Sequence, residues 1–297
     1  MLHPITFSIP KEKLCTTQNS NTKTKILSSL IPGDTSTYIY NTEEDYYNEY
    51  KTSYFAITQK KEGWDCLRHY EILANGCIPY FINIENCPEN TMFFFPKELI
   101  NKTNQLYNKF QNKNINDLTE EEIKEYYFYQ NELFEYTKNN LTTDKIAKYI
   151  LEKTNFQNKT KILFLSGDLK PDYLRCLTLN GFKNLIGSSC HDFPKVPHIY
   201  KTNINNDYLY GKGFTYSNLL DPLLHNENLD YSLIDDIKNK YYDIIIYGSY
   251  HRGMPYFELI KSLYKPNEII LLCGEDLHCC NYNYYLNMGH NVFVREL

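Results

Sequence analysis

No stretch of this 297-residue chain carries the ~18 consecutive apolar residues that a membrane-spanning helix needs. The opening MLHPITFSIP has no basic region followed by an apolar core, so it does not read as a signal peptide. The expectation is a cytoplasmic protein without a membrane span. No dense block of Lys and Arg occurs and the net charge is -5, which disfavours a dedicated nucleic-acid binder, whose footprint is a basic patch or stripe. The nine cysteines include no CxxC pair. His278-Cys279-Cys280, with Cys273, imitates a metal cluster, but no second ligand pair at zinc-finger spacing accompanies it. No metal site and no cofactor are therefore expected, and the thiols are expected to be reduced. No Gly-x-Gly-x-x-Gly follows a strand-like run and no Gly-x-Ser-x-Gly is present. These absences argue against a dinucleotide oxidoreductase and an α/β-hydrolase.

What is present is aromatic and alternating. The chain holds 29 Tyr and 16 Phe but a single Trp, at position 64. Abundant Asn, Lys, Ile and Tyr point to an AT-rich genome such as that of a large DNA virus. Apolar runs at 161–165, 241–247 and 268–272 read as buried strands, with helical patterns at 171–186 and 255–264 and a last strand near 291–295. Such alternation makes a parallel sheet with helices on its faces. The loops after those strands carry Asp168, then His251 and Arg252, then Glu275, Asp276 and His278. Loops at the carboxyl ends of parallel strands converge on one edge, so these groups are candidates for acid–base chemistry, with His191 and Asp192 as outside candidates. Residues 119–153 read as two helices broken near 139–143, the first opened by a Thr119–Glu122 capping box. Residues 188–228 read as a long irregular insertion, a lid or a wall of a binding site. The Gly211-Lys-Gly213 within it lacks the leading strand and glycine spacing of a phosphate-binding loop.

One stretch stands apart, KKEGWDCLRHYEILANGCIPYF at 60–81. It follows a buried strand at 54–58. Asp65 is placed to cap a helix running to Asn75, Gly76 to end it in the left-handed conformation, and Pro79 to enter a further strand. Arg68, Glu71 and Asn75 fall at i, i+3 and i+7 on one helical face. A carboxylate there can accept two hydrogen bonds from a ribose diol, and a guanidinium fork can hold a diphosphate. The plainer alternative is an Arg68–Glu71 surface ion pair, worth about 0.3–0.5 kcal/mol.

Arg68-x-x-Glu71-x-x-x-x-Gly76-Cys77-x-Pro79 resembles the donor-site motif of exostosin-type glycosyltransferases. It is also similar to the Glu-Ala-x-Ala-x-Gly-x-Pro segment of retaining two-Rossmann-domain (GT-B) transferases. The resemblance covers about thirty residues and is loose elsewhere. It implies that Glu71 binds the ribose of a sugar nucleotide. Many retaining members carry a second Glu eight positions earlier, where this chain has Gly63, so the retaining mechanism does not transfer.

The expectation is an α/β protein with two Rossmann-like domains facing a cleft. Residues 1–110 would bind the donor, 111–155 would be a helical connector, and 156–297 would form the acceptor side. That order is reversed relative to the family, as if by circular permutation, and it expects HPITFSIP and NVFVREL to lie together. The implied activity is transfer of a sugar from a nucleotide-sugar donor to a glycan or other hydroxyl acceptor. Asp168, His251, Glu275 and Asp276 are the catalytic candidates, and Lys60, Lys61, Trp64, Asp65, Arg68, Glu71 and Gly76 the donor-binding ones. With no Asp-x-Asp to hold a divalent metal, Lys60, Lys61, Arg68 and helix N-termini would neutralise the diphosphate. The alternatives are a non-catalytic nucleotide-sugar or glycan binder, and a hydrolase or epimerase of sugar nucleotides.

Overall fold

The computed structural model describes residues 1–16, 23–158, 161–202, 206–276 and 281–297. The chain is an α/β protein with two parallel sheets. In the larger, the strands are β1 (Leu2–Pro4), β5 (Ile162–Leu165), β6 (Cys190–Phe193), β7 (Ile244–Tyr247), β8 (Ile269–Cys273) and β9 (Asn291–Val294), in the order β1-β9-β8-β7-β5-β6. Starting from β5, the chain moves out to β6 and then returns to the opposite side for β7, β8 and β9. The strand order therefore reverses between β5 and β7, a topological switch point of a doubly wound sheet.

Both faces of this sheet are covered, which is why its strands read as unbroken apolar runs. Ile162, Phe164, Ile246 and Leu272 join one core with helices α5 (Thr143–Thr154) and α6 (Tyr173–Ile186). Leu163, Leu165, Ile245 and Leu271 join the other with α7 (Glu227–Lys238) and α8 (Phe257–Leu263). Helices α5 and α6 cross closely at Gly181, where a Cβ would lie 2.1 Å from the Thr143 carbonyl oxygen.

The smaller sheet has the order β2-β3-β4, from Lys25–Leu27, Ser53–Gln59 and Ile78–Ile82. Pro79 lies on its edge strand β4, where a residue without an N–H is tolerated. Helix α1 (Glu43–Lys51) packs on one face through Tyr46, Tyr47 and Tyr50. Helices α2 (Leu67–Ala74), α3 (Lys97–Phe110) and α4 (Glu120–Asn140) complete this half, and α9 (Tyr282–Asn287) precedes β9. The Thr119–Glu122 capping box is present in both directions, at 3.0 and 3.2 Å.

Several expectations are corrected. Leu2–Pro4 fall within 1–110 by sequence, yet pair in parallel with Val292–Val294 at the edge of the larger sheet. The ends of the chain thus lie side by side. One apolar cluster runs from Phe55 and Phe81 of the small sheet through Leu133, Ile146 and Ile150 to Phe164 and Ile246 of the large one. The 111–155 helices are therefore shared core rather than a bare connector. Cys190-His191-Asp192, read as insertion loop, forms β6, because it completes the sheet edge beside β5. Burial of the whole Phe93–Phe95 run, which its apolar character predicts, is not met: Phe93 stays 44% exposed while Phe95 is buried. Cys273 is disulfide-bonded, contrary to the expectation of reduced thiols throughout. His278, Cys279 and Cys280 lie outside the described residues.

Candidate functional site

A cleft of about 950 Å³ opens at the carboxyl ends of the large sheet's strands. Pro171 and Asp172 after β5, Arg252 after β7, and Gly274, Glu275 and Asp276 after β8 line one wall. Lys61, Asp65, Arg68 and Glu71 line the facing wall, and Tyr210, Lys212, Phe214 and Tyr216 from the 188–228 segment line a third. The loops after β5 and β7 touch at the switch point. A Cβ at Gly167 would lie 2.4 Å from the Arg252 carbonyl oxygen, so only a glycine lets the two loops close on each other.

The α2 wall differs from a solvated polar stripe. Seven of the eight residues of α2 are buried. Glu71 is 6% exposed; its Oε2 accepts from the Tyr46 hydroxyl at 2.6 Å and its Oε1 from Thr215 Oγ1 at 2.5 Å. Burial pushes the Glu71 carboxyl up, against the pull of those two hydroxyls and of Arg68. Arg68 donates to the Tyr38 hydroxyl and stacks on its ring at 5.5 Å, while its buried Nη1 has no hydrogen-bond partner. Asn75 does not continue the stripe into the cleft. It caps the helix C-terminus, donating from Nδ2 to the Glu71 carbonyl at 2.8 Å, and Gly76 follows at φ +62.

Asp65 is not the helix cap. Cys66 holds that position, without a side-chain bond. Asp65 is instead 1% exposed and accepts from the Phe7 N–H and the Tyr70 hydroxyl, each at 2.7 Å. Desolvation raises its carboxyl to about 6. It ties the N-terminal segment to α2.

Across the cleft, Asp172 caps α6. Its Oδ1 accepts from the Arg175 N–H at 2.9 Å and its Oδ2 from Arg252 Nε at 3.0 Å. Burial opposes its ionisation, but His251 and the Arg175 guanidinium outweigh this and hold the carboxyl well below the usual range. His251 Nε2 lies 2.7 Å from Glu275 Oε1 and 3.5 Å from Asp172 Oδ2, at angles short of a well-formed hydrogen bond. Glu275 reaches the cleft and His251 stands behind it. Asp276 is held by the fully buried Arg295, which also donates to the carbonyls of Gly274 and Asp65. Glu296 accepts from the Trp64 and Asp65 N–H groups at 3.1 and 2.9 Å.

Other candidates lie elsewhere. Asp168 does not line the cleft; its Oδ1 accepts from the Lys170 N–H at 3.0 Å and faces Arg175 at 3.4 Å, closing its own loop. Lys60 sits over the Trp64 ring at 5.3 Å, and Trp64 stacks on Phe81, so neither side chain lines the cleft. Gly76 packs against Gln130. His191 and Asp192 belong to a buried network with Asp230, His225 and Lys183 at the β6 edge.

Tyr46, Asp172, Thr215, Arg295 and Glu296 escaped the sequence reading. A signal existed for Asp172, an aspartate after Pro171 at the head of a helical pattern. None existed for Thr215. Among the described residues no group of His, Cys, Asp and Glu is arranged to hold a metal ion, and no helix is long and apolar enough to cross a membrane. No known protein family, curated protein or solved structure matches this chain.

Proposed function

We propose that the chain is a glycosyltransferase of two-Rossmann (GT-B-like) design, moving a sugar from a nucleotide-sugar donor to a glycan or other hydroxyl acceptor. One observation carries the reading. The motif residues Arg68 and Glu71 face Arg252, Glu275 and Asp276 across one cleft at the switch point of a doubly wound sheet, where such folds bind ligands.

In this reading Arg68, Lys61 and Arg252 receive the diphosphate, and the tyrosine-rich wall receives the ring systems. Glu275 takes the proton from the acceptor hydroxyl as its oxygen bonds to the anomeric carbon. The bond from that carbon to the diphosphate oxygen breaks, and the nucleoside diphosphate leaves with the bonding pair. His251 orients Glu275, and the low-lying Asp172 holds Arg252 in place. Charge on the leaving group is met by side-chain cations, so the reaction is proposed to be metal-independent.

The test is release of free nucleoside diphosphate from UDP- and GDP-sugars, and of CMP from CMP-sugars, with a thermal-shift screen beside it. Ligand at a hundredfold excess over Kd stabilises the native state by about 2.7 kcal/mol. Turnover should persist in EDTA; complete loss in EDTA with recovery in manganese would favour a metal-held diphosphate. A non-catalytic binder is the second reading. It draws on the engagement of Asp65, Glu71 and Asp172, each of which already accepts two hydrogen bonds from the protein. Saturable nucleotide binding without turnover would select it.

A further inference from the structure

The two oxygens of Glu71 each accept one hydroxyl, from Tyr46 and from Thr215. Two hydroxyl donors on one carboxylate is also how a vicinal diol is held. Thr215 reaches Glu71 from the other half of the molecule, on a segment whose tip makes several bonds to the first half. The Thr215 N–H donates to Glu43 Oε1 at 2.6 Å, and the Tyr47 hydroxyl lies 2.5 Å from Thr215 Oγ1. Lys212 Nζ donates to the Tyr40 carbonyl at 3.1 Å and to Asn41 Oδ1 at 2.6 Å. Phe214 packs against the Tyr46 ring at 5.6 Å.

The backbone of this tip is left-handed at Gly211, Lys212, Gly213 and Thr215, with Thr215 at φ +74. A β-branched residue there is a genuine outlier, and such strain persists only where surrounding contacts over-determine it. The feet of the segment are fixed in its own half: Leu209 and Tyr216 are buried, and the Tyr216 hydroxyl donates to the Tyr210 carbonyl at 2.9 Å.

We propose that residues 209–217 form an autoinhibitory strap: Thr215 and Tyr46 stand in for a vicinal diol on Glu71, and a ligand carrying such a diol displaces both hydroxyls from Glu71 and, by displacing Thr215, releases the strap. The inference rests on the proposed reading of the cleft as a nucleotide site, and adds how that site is gated. Glu71 is thus occupied before ligand arrives, and binding exchanges the two protein hydroxyls for the two of the diol rather than filling an empty carboxylate. The strain at Thr215 is relieved in the same step.

Hydrogen exchange on the full chain tests this, following peptides over 206–218 and 40–50 in wild type, Thr215→Val and Thr215→Ser. The probes are UDP, GDP, ADP and CDP, each against its 2′-deoxy counterpart. Thr215→Val should speed exchange over 206–218 about tenfold, and Thr215→Ser should keep the wild-type protection. A ribonucleotide should speed exchange there in wild type where its 2′-deoxy form does not, and should bind Thr215→Val about tenfold more tightly. Unchanged exchange in Thr215→Val overturns the strap. Equal binding to wild type and Thr215→Val, with no change in exchange, also overturns it while leaving the nucleotide site standing. Binding to neither protein overturns both. If Thr215→Val does not fold, the wild-type arm decides alone, and nucleotide binding without faster exchange overturns the proposal.

Discussion

Arg295 donates from Nη1 to the backbone carbonyl of Asp65, 230 positions away in sequence. That bond joins the end of β9 to the turn that starts α2. The same guanidinium reaches the Gly274 carbonyl, Asp276 and Glu296 and lies over the Phe7 ring at 4.3 Å. One buried fork thereby fixes both sides of the cleft relative to each other. A fork with several fixed donors suits this role better than the single ammonium of lysine.

Replacing Arg295 should therefore be costly. Arg295→Met leaves the buried Glu296 carboxylate and the Asp65 carbonyl without their cation, and breaking such a buried pair costs about 3–5 kcal/mol. Urea denaturation would report this as a large fall in midpoint. Arg295→Lys should recover only part of it. A midpoint within error of wild type would remove Arg295 from this role.

Asp65 gives a pH signature of unusual sign. Its carboxyl is raised from 3.8 to about 6 in the folded chain, so the native state holds the proton more tightly than the unfolded one. Its contribution is full below pH 3.8 and is lost as pH rises through about 6, an effect on the order of 3 kcal/mol. Asp65→Asn should flatten the stability profile between pH 4 and 6 relative to wild type. An identical slope in both proteins would contradict the assignment.

The α5–α6 crossing has no room at Gly181. A Cβ there would meet the Thr143 carbonyl carbon and oxygen at 2.7 and 2.1 Å. Gly181→Ala should destabilise the protein by about 1–3 kcal/mol despite alanine's better helix propensity. Calorimetry should show a lower Tm, whereas an isolated helix would give the opposite sign.

Within the proposed reaction, the two walls should separate binding from chemistry. Arg68→Met should weaken nucleoside diphosphate affinity about tenfold or more, as loss of a charged hydrogen-bond partner costs roughly 1.5–3 kcal/mol. Glu275→Gln should leave that affinity near wild type and lower turnover by about 10²–10⁴. Calorimetric titration and nucleoside diphosphate release measure the two independently. Parallel losses in both assays for both variants would contradict this division of roles.

Local chemistry made much of the fold legible. The apolar runs at 162–165, 244–247 and 269–273 form strands wherever both faces are to be covered, and their sequence needs no partner to show it. The capping box at Thr119 and the left-handed Gly76 are properties of a few adjacent residues. Arg68 and Glu71 were singled out by their spacing on α2, and both line the cleft. Asp65 was misread as a cap because an acidic residue ahead of a helix has that appearance whether its oxygens turn to the helix or, as here, to Phe7 and Tyr70.

What tertiary structure alone decided is which groups remain open to a ligand. Whether Glu71 meets solvent or a hydroxyl depends on Thr215, 144 positions away, and on a backbone conformation that no local preference of threonine favours. Asp168 and Asp172 lie four positions apart in one loop, yet Arg175 and Lys170 turn the first into its own loop while Arg252 and His251 draw the second into the cleft wall. Periodicity fixes elements because it reports burial along one segment. The assembly of a site depends on how segments are placed against each other, and that is set by the shared core between the two sheets.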